Sequence, residues 1–409
     1  MNHPMQKKVK IFNDPVYGFI SVPVGILLEI IEHPFFQRLR RISQLGLTSY
    51  VYPGALHTRF HHALGALHLM TRAVEVLRTK GIEISEIEAE AVCIAILLHD
   101  IGHGPFSHAL EHTIIDIHHE EMSILFMEQL NQHFNGKLQL AIMIFKGTHP
   151  KKFLHQLVSG QLDMDRLDYL SRDSFFTGVT EGSVGHDRLI QMLNVIEGEL
   201  VVEEKGIFSV EHFLIARRLM YWQVYLHKTV LSAEQMLIKT LQRAKQLIQE
   251  GTRIESFGNL NYFLNQSFTD SDKKNIKNLP NHFAMLDDFD IIASLKQWTI
   301  HGDLVLSYLA KCLLHRKLFK TRLQNTVIPP SEVAAAEALV KQQFPQLTDT
   351  EIRYWVFTGK ESNRTYNKKK DDIKILMKNG TVRSFSESAD YELQTKIIYR
   401  YYICFPKSY

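Results

Sequence analysis

The sequence is poor in the features that mark secreted, membrane-spanning and nucleic-acid-binding proteins. Only three of its 409 residues are cysteines, and their wide, unpaired spacing argues against a disulfide framework or a zinc knuckle. No apolar run reaches the roughly 18 residues that a membrane-spanning helix needs, and no signal-like stretch follows the N-terminal residues. The net charge of +3 balances 47 basic against 44 acidic residues, so phosphate recognition must be local. We expect a cytoplasmic protein with no membrane partner and no support for nucleic-acid binding.

What is present is enough apolar sequence for a large core. Hydrophobic residues make up 45% of the chain and charged residues 22%, which predicts one large domain and a smaller appendage. Residues 9–22 alternate and turn like a β-hairpin. Helical periodicity then runs through 24–45, 60–79, 86–99, 120–133, 137–146, 163–173 and 210–250, with glycine and proline breaks between the earlier segments. This pattern predicts a mainly α-helical domain.

From about residue 350 the pattern changes to β. Short apolar runs occur at 354–357, 373–377, 382–385 and 396–405, and Asn379-Gly380 between two of them is a strong hairpin signal. Lys368-Lys369-Lys370 is interpreted as a solvated loop. We therefore predict a helical domain with an N-terminal hairpin over residues 1–324 and a small α+β region over 325–409.

The dipeptide His99-Asp100 is the most informative feature of the sequence. It follows the apolar run 91–98, where a buried helix is predicted to end. Polar side chains beside an apolar core need partners for their lone pairs, and a divalent cation supplies one. The alternative is that both residues only cap the helix, whose dipole favours a cationic histidine there.

Two further side chains could complete a ligand set with His99 and Asp100. These are His62, in Arg59-Phe60-His61-His62, and Asp165, in Asp163-Met164-Asp165-Arg166. Imidazole nitrogens with carboxylate oxygens suit one divalent ion of Fe, Mn, Zn, Ni or Mg in a site that retains water. On a helix over 163–173, Arg166, Tyr169 and Asp173 share one face, so metal and ligand groups could converge from one element.

Four longer strings carry a family resemblance. They are "YPGALHTRFHHALG" (52–65), "LLHDIGHGPFSHALE" (97–111), "HHEEMS" (118–123) and "DMDRLDYLSRDSFFTGV" (163–179). Together they resemble the deoxynucleoside triphosphate (dNTP) triphosphohydrolase branch of the HD-domain metal-dependent phosphohydrolases, over roughly residues 9–240. The resemblance implies an HD-type helical core and a metal held by His62, His99, Asp100 and Asp165, with Mg joining the substrate phosphates.

The resemblance also implies a catalytic group built from histidines. His108 and Glu111 match the family's histidine and its acidic partner, which would protonate the leaving O5′. On a helix this pair falls at i, i+3, so the carboxylate could hold the imidazole. His103 and His119 match positions that contact the triphosphate and could equally complete the catalytic centre. His61, next to His62, is expected to be structural or to support the ligands.

Substrate contacts follow from the same resemblance. The matched positions for phosphates are Arg59, Arg166 and Arg217, whose guanidinium groups suit phosphate oxygens. Those for the deoxyribose are Gln44, Leu45, Tyr169 and Asp173, with the Tyr169 ring excluding a 2′-hydroxyl. Tyr221 and Tyr225 continue the pattern after Arg217, but Tyr221 stands where relatives have a histidine and Leu226 where they have a glutamine. Base preference therefore does not transfer.

A regulatory site between subunits is also implied. The matching residues are Lys10, Asn13, Glu32, Gln37, Arg40, Arg316 and Lys320, which line an activator-nucleotide site in relatives. Glu32 replaces an aspartate that reads guanine, so guanine specificity does not transfer with it. The alternative is that residues 36–40 form an amphipathic helix with snorkelling arginines. The expected partners are thus a dNTP substrate, an activator nucleotide and further copies of the chain, as a dimer or tetramer.

The sequence therefore predicts metal-dependent hydrolysis of dNTPs to deoxynucleoside and tripolyphosphate. One alternative is an HD nucleotidase or phosphodiesterase that acts on monophosphates or cyclic nucleotides. Another is a catalytically silent protein that senses nucleotides with the same pocket. Three arginines favour a polyphosphate, and the pair His108 and Glu111 favours an enzyme over a sensor.

Overall fold

Helices dominate the fold. The computed structural model describes residues 8–107, 111, 113, 115–266, 278–363, 372–389 and 398–407. The helices are α1 (Ile26–Glu32), α2 (Pro34–Gln37), α3 (Arg59–Thr79), α4 (Glu86–Leu98), α5 (His119–His133), α6 (Gln139–Phe145), α7 (Lys152–Val158), α8 (Met164–Thr177), α9 (His186–Gln191), α10 (Ile207–Met220), α11 (Lys228–Gln249), α12 (Leu260–Asn265), α13 (Leu279–Ala284), α14 (Asp288–Trp298), α15 (Leu304–Leu314), α16 (Pro330–Gln343), α17 (Asp349–Ile352) and α18 (Phe385–Ser388). Within these ranges, no helix combines the length and apolarity needed to cross a bilayer. The predicted mainly α-helical class is confirmed.

The strands are short and form small sheets. They are β1 (Val9–Asp14), β2 (Gly18–Pro23), β3 (Leu193–Ile196), β4 (Glu199–Glu203), β5 (Lys320–Gln324), β6 (Phe357–Asn363), β7 (Lys374–Leu376), β8 (Val382–Ser384) and β9 (Ile398–Phe405). β1 and β2 form the predicted N-terminal hairpin, with Phe12 opposite Ile20. The other strands pair in the orders β3-β4-β7-β8 and β5-β9-β6.

Three helices at the centre of the molecule carry the site. α3 packs against both α4 and α8. α4 begins at a capping box between Ser85 and Glu88 and buries its entire last two turns, as the apolar run predicts. α8 begins where the Asp163 side chain accepts the backbone N–H of Arg166, and it ends at Gly178 with a left-handed φ of 74°.

Two of the predicted helical segments are interrupted. The segment 24–45 breaks before Pro34, which holds His33 in an extended conformation and starts α2. The segment 210–250 ends its first helix at Met220 and passes through a π-helical turn over Tyr221–Tyr225. α11 then starts after His227, whose side chain accepts the N–H of Thr229. Single π turns are frequent at functional sites.

The C-terminal strands differ in part from the prediction. Residues 354–356 form a turn rather than a strand, because α17 extends to Ile352 and β6 begins only at Phe357. The Asn379-Gly380 hairpin is confirmed, with Leu376 opposite Val382 and a φ of 82° at Gly380. Lys368-Lys369-Lys370 and the residues just before Ile398 lie outside the described residues.

One hairpin was not predicted. β3 and β4 are joined by Glu197 and Gly198, with φ values of 52° and 77°, as a two-residue hairpin turn requires. β4 then pairs in parallel with β7, and β5 pairs with β9. Strands on both sides of residue 325 thus share sheets, and the division at this residue stays a prediction.

Candidate metal centre and active site

The fold brings together the side chains predicted to bind a metal. His62 comes from the first turn of α3, His99 and Asp100 follow the end of α4, and Asp165 lies in the first turn of α8. His62 Nε2 lies 3.3 Å from His99 Nε2, 3.1 Å from Asp165 Oδ1 and 3.6 Å from Asp100 Oδ2. His99 Nε2 lies 3.3 Å from Asp165 Oδ1 and 3.5 Å from Asp100 Oδ1.

The far side of each imidazole fixes which nitrogen can bind a cation. His62 Nδ1 lies 2.7 Å from Asp168 Oδ2, and His99 Nδ1 lies 2.6 Å from the carbonyl oxygen of Ile96. A carboxylate and a carbonyl can only accept, so both Nδ1 atoms carry the proton. Both Nε2 lone pairs therefore point into the cluster, as in protein metal sites with oriented histidine ligands.

This arrangement fits a divalent cation. Each carboxylate has an oxygen 3.1–3.6 Å from the Nε2 atoms of both imidazoles, and ligand atoms of His62, His99 and Asp100 all lie within 4.8 Å of one another. Lone pairs and carboxylates at these distances repel one another unless positive charge lies between them. Neighbouring ligands of an ion with bonds of about 2.1 Å are themselves roughly 3 Å apart. His62 is fully buried and the Asp165 side chain is 22% exposed, so the cluster is closed on the protein side and accessible near Asp165.

The pKa values of these groups are shifted in the directions that favour positive charge in the cluster. Burial lowers the pKa of His62, but hydrogen bonds to Asp165 and Asp168 outweigh it and raise the pKa to about 10. Burial likewise opposes charge on His99, yet Asp100 and Asp165 raise its pKa above the ordinary value. In return, both imidazoles hold the pKa of Asp165 well below its usual range despite burial. Protons balance the carboxylates here, and a bound cation would displace them.

A second layer of buried charges anchors His62. Asp168, which accepts from His62, also pairs with Arg172 at 3.0 Å, and Arg172 reaches Asp14 at the end of β1 at 2.7 Å. The Asp168 and Arg172 side chains are fully buried. Gly65 on α3 makes this packing possible, because a Cβ there would overlap Asp168 Oδ1 and Arg172 Nη2. Sequence reasoning missed Arg172 and Asp14.

The loop after α4 is held from two sides. Ser123 on α5 donates to the carbonyl oxygen of His99 and accepts the N–H of Gly102, both at 2.9 Å. The buried Arg38 donates to the carbonyl oxygens of Ile101 and His103 at 3.4 and 2.7 Å. These contacts fix the loop that presents Asp100 and His103.

A cavity of about 390 Å³ opens beside the metal cluster. Its walls include most residues predicted to bind substrate or to act in catalysis. The predicted residues that line it are Gln44, Leu45, Arg59, Asp100, His103, His119, Asp165, Arg166, Tyr169, Asp173, Arg217, Tyr221 and Tyr225. The volume lies in the range of small-molecule sites.

The three arginines occupy different settings in this cavity. Arg59 pairs with Asp100 and donates from Nε to Ser107 at 2.8 Å. Arg166 pairs with the buried Asp163, and Arg217 Nη1 lies 3.4 Å from Gln161. Among the described residues, the buried Nε atoms of Arg166 and Arg217 have no hydrogen-bond partner. Buried donors of this kind are costly, and an oxyanion is a partner that a guanidinium group binds well.

The Asp173 carboxylate is fixed at both oxygens. His57 Nε2 lies 2.7 Å from Oδ1, and the Tyr225 hydroxyl donates to Oδ2 at 2.8 Å. The His57 ring stacks on Phe176 at 4.5 Å. Gln44 lines the same cavity, and its buried Oε1 has no hydrogen-bond partner within the part of the chain that the structure describes. Sequence reasoning missed His57, because its role in holding Asp173 depends on a contact between residues that are distant in sequence.

The histidine cluster departs from the predicted arrangement around Glu111. Glu111 forms an isolated bridge with Ile115 rather than part of a helix. Its Oε1 accepts both the backbone N–H and the Nδ1 of His119, at 2.8 and 2.7 Å. His119 stacks on His103 at 4.0 Å, and His103 Nε2 lies 3.3 Å from Asp100 Oδ1. His108 lies outside the described residues, so its pairing with Glu111 stays a prediction.

The residues matched to an activator site lie on the surface or near it. Lys10, Asn13, Glu32, Arg40, Arg316 and Lys320 are exposed, and Gln37 is half-buried. Gln37 accepts from Arg40 at 2.9 Å, and the Arg40 guanidinium lies 3.6 Å from the centre of the Phe60 ring. Arg316 donates to the carbonyl oxygen of Tyr50. The activator site stays a prediction.

His61 has a structural contact, since its Nδ1 accepts from the N–H of Thr58 at the start of α3.

This helical fold and this cluster of histidine and aspartate side chains are typical of HD-domain proteins. The HD domain model matches residues 59–173, which span all four candidate metal ligands, and the HD associated region model matches residues 184–265. The chain belongs to the HD-domain phosphohydrolase family.

Particular relatives refine this assignment. A phosphohydrolase of known structure from Bacteroides thetaiotaomicron is 49% identical, with a TM-score of 0.94 over 98% of this chain and 100% of that chain. The uncharacterized protein YwfO of Bacillus subtilis is 31% identical and matches 93% of this chain and 88% of that protein. The deoxynucleoside triphosphate triphosphohydrolase SAMHD1 homolog of Dictyostelium discoideum is 30% identical over 73% of this chain. The match spans 64% of the length of that triphosphohydrolase.

Proposed function

We propose that this protein hydrolyses deoxynucleoside triphosphates to deoxynucleoside and inorganic tripolyphosphate. The observation that carries the proposal is the position of Arg166 and Arg217. Both arginines line the cavity that also contains the candidate metal ligands Asp100 and Asp165, and the buried Nε atom of each has no hydrogen-bond partner among the described residues. With Arg59 in the same cavity, three guanidinium groups suit a chain of phosphates better than a single one. The name of the Dictyostelium relative agrees with this choice.

The metal cluster suits hydrolysis at a phosphorus atom. A divalent cation of Fe, Mn, Zn, Ni or Mg at His62, His99, Asp100 and Asp165 would supply a more acidic water and a Lewis acid for a phosphoryl oxygen. Arg166 and Arg217 would bind the phosphate oxygens and stabilise the charge that develops on them. The pairing of Arg59 with Asp100 keeps one guanidinium next to the ligand cluster.

The sugar is proposed to lie between Gln44 and Asp173. The 3′-hydroxyl has one proton to donate, and two acceptors are available for it: Gln44 Oε1, which has no hydrogen-bond partner among the described residues, and Asp173, which is held by His57 and Tyr225 and can accept a third hydrogen bond. The Tyr169 ring lies in the same wall. A bulky ring under the sugar excludes a 2′-hydroxyl by contact, so discrimination against ribose would be steric.

The leaving O5′ needs a proton, and two histidines are candidates to supply it. His108 matches the family's general acid. His119 lines the cavity and is oriented by Glu111 through its Nδ1, which leaves Nε2 as the atom that can exchange a proton with substrate. His103, stacked on His119, would help to place the phosphates.

The test is turnover by purified protein with each dNTP, NTP and dNMP in the presence of Mg, Mn, Fe or Co. Products are separated by ion exchange. Release of tripolyphosphate from dNTPs, with much slower turnover of NTPs, supports the proposal. Turnover of monophosphates or cyclic nucleotides instead identifies a nucleotidase or phosphodiesterase, and binding without turnover identifies a sensor. Sedimentation with and without added nucleotide tests the predicted dimer or tetramer and its activator.

A further inference from the structure

Glu234 is an acidic side chain of the cavity wall that the proposed reaction does not use. It lies in the second turn of α11 and contributes to the same cavity as the arginines. Its Oε1 lies 3.3 Å from the position that a Cβ on Gly46 would occupy. Gly46 directly follows Leu45, which is expected to contact the sugar. The carboxyl group thus lies beside the part of the cavity where the nucleoside is proposed to bind.

The carboxyl of Glu234 has no polar partner among the described residues. Burial and the negative charge of Glu361 on β6 raise its pKa to about 8, without a contribution from any hydrogen bond. The side chain is half-buried in the cavity wall, so a ligand in the cavity can reach its carboxyl group. Near neutral pH the group is therefore largely a neutral acid, with one donor and one acceptor.

A nucleotide offers three parts that could meet this group: the phosphates, the sugar and the base. A carboxyl that ionises near neutral pH is poorly suited to phosphates, which carry the same charge. The sugar hydroxyl already has an acceptor in Gln44 or Asp173. The base is the part whose edge carries adjacent donors and acceptors and still lacks a polar partner.

We propose that Glu234 hydrogen-bonds the edge of the nucleobase and sets the base preference of the enzyme. The inference rests on the proposed hydrolysis of dNTPs. A neutral carboxyl matches the acceptor and donor pairs of adenine, cytosine and thymine. Guanine offers the neutral carboxyl an acceptor–donor pair at O6 and N1–H. It alone also offers the ionised form two adjacent donors, N1–H and N2–H, so guanine stays matched when the carboxyl loses its proton. The preference for guanine over adenine should therefore rise with pH.

The experiment compares kcat/KM for dGTP and dATP between pH 6.5 and 9. For the unmodified protein we expect the ratio of dGTP to dATP to rise about tenfold over this range. In Glu234→Gln the ratio should stay flat, because the amide keeps one donor and one acceptor at every pH. Glu361→Gln is the matched control: it removes the facing charge without altering the cavity wall, so the rise should move to lower pH.

A substrate without a base separates recognition from folding. Turnover of 2-deoxyribose 5-triphosphate should change less than twofold in Glu234→Gln and Glu234→Ala, while Glu234→Ala loses most discrimination among the four dNTPs. Equal losses for all substrates, or a pH-independent ratio in the unmodified protein, overturn the inference and leave the proposed function intact. If the unmodified protein releases no tripolyphosphate, the proposed function fails. Calorimetric binding of deoxyguanosine and deoxyadenosine then decides the role of Glu234 by the same ratio.

Discussion

His62 donates its Nδ1 proton to Asp168 across 2.7 Å, inside a fully buried pair. The contact orients a candidate metal ligand through a residue that does not itself face the cation. Asp168 is in turn held by Arg172, which reaches the N-terminal hairpin at Asp14. The geometry of the metal cluster therefore depends on a chain of charges that extends from α3 through α8 to β1.

Asp168→Asn should weaken metal binding without removing a ligand. The amide has less negative charge than the carboxylate, so the basicity of His62 falls, and loss of such an outer contact typically costs about 10–100-fold in metal affinity. Competition with a chelator measures the change. The control is Asp187→Asn, whose side chain is 65% exposed and pairs with Arg72. Equal metal affinity in Asp168→Asn and the unmodified protein would contradict the proposed role.

Metal binding should release protons, and the metal-free protein should lose stability as pH rises. The folded-state pKa of His62 is raised to about 10, against about 6.5 in an unfolded chain. Its stabilising contribution is therefore complete below pH 6.5 and is lost as pH rises towards 10. Calorimetry in buffers of different ionisation enthalpy measures the released protons. The Tm of metal-free protein should fall between pH 6.5 and 10 more steeply than that of His62→Gln, and parallel slopes would exclude this linkage.

Gly65→Ala should destabilise the fold by about 1–3 kcal/mol, or more, through overpacking. The new methyl group would meet Asp168 and Arg172, neither of which has space to move. Urea denaturation measures the loss of unfolding free energy. Gly185→Ala is the matched control, since a Cβ there meets nothing within 4 Å and the backbone φ is −75°. Similar stability of the two variants would argue against the tight packing behind His62.

Arg217→Gln should raise the KM for triphosphate substrate by about 10–100-fold, the size expected for one lost charged hydrogen bond. The variant removes the buried Nε donor while the metal ligands stay in place. Steady-state kinetics with dNTPs measures the change, and metal content should stay the same. Arg218→Gln, at a neighbouring position that does not line the cavity, serves as control. If both variants raise KM equally, the effect is one of overall charge.

Glu111→Gln tests whether an oriented His119 supplies the leaving-group proton. Loss of the carboxylate removes the acceptor at Nδ1, and general acid catalysis is typically worth about 10²–10⁴-fold. We expect kcat for dNTPs to fall within that range in His119→Gln, and less in Glu111→Gln. A substrate with a p-nitrophenolate leaving group needs no proton and should be affected little. If His108→Gln shows this pattern and His119→Gln does not, the acid is His108.

Local patterns were sufficient to predict the elements that carry the site. The apolar run 91–98 and the polar dipeptide after it predict where α4 ends, because burial and capping are properties of neighbouring residues. The hairpin at residues 9–22 and the face of α8 follow in the same way. The β3-β4 hairpin had a usable signal in Glu197-Gly198 between two apolar runs, which sequence reasoning overlooked.

Other features depend on contacts between distant residues. The pairing of β4 with β7 joins segments about 170 residues apart, and no local pattern encodes it. The sequence predicts an ordinary α-helix over Tyr221–Tyr225, because the residue types there are as compatible with an α-helix as with the observed π turn. The buried contacts of Arg172 and the position of Glu234 in the cavity wall were not predicted, because a charged residue within a helical pattern normally lies on a solvated face.

The most direct test of the account is metal titration of the metal-free protein with tripolyphosphate release from a dNTP as the readout. Activity should return in proportion to added ion, reach its plateau near one ion per chain, and fail to return in Asp165→Ala. Full activity without metal, or an Asp165→Ala variant that regains activity like the unmodified protein, would contradict it.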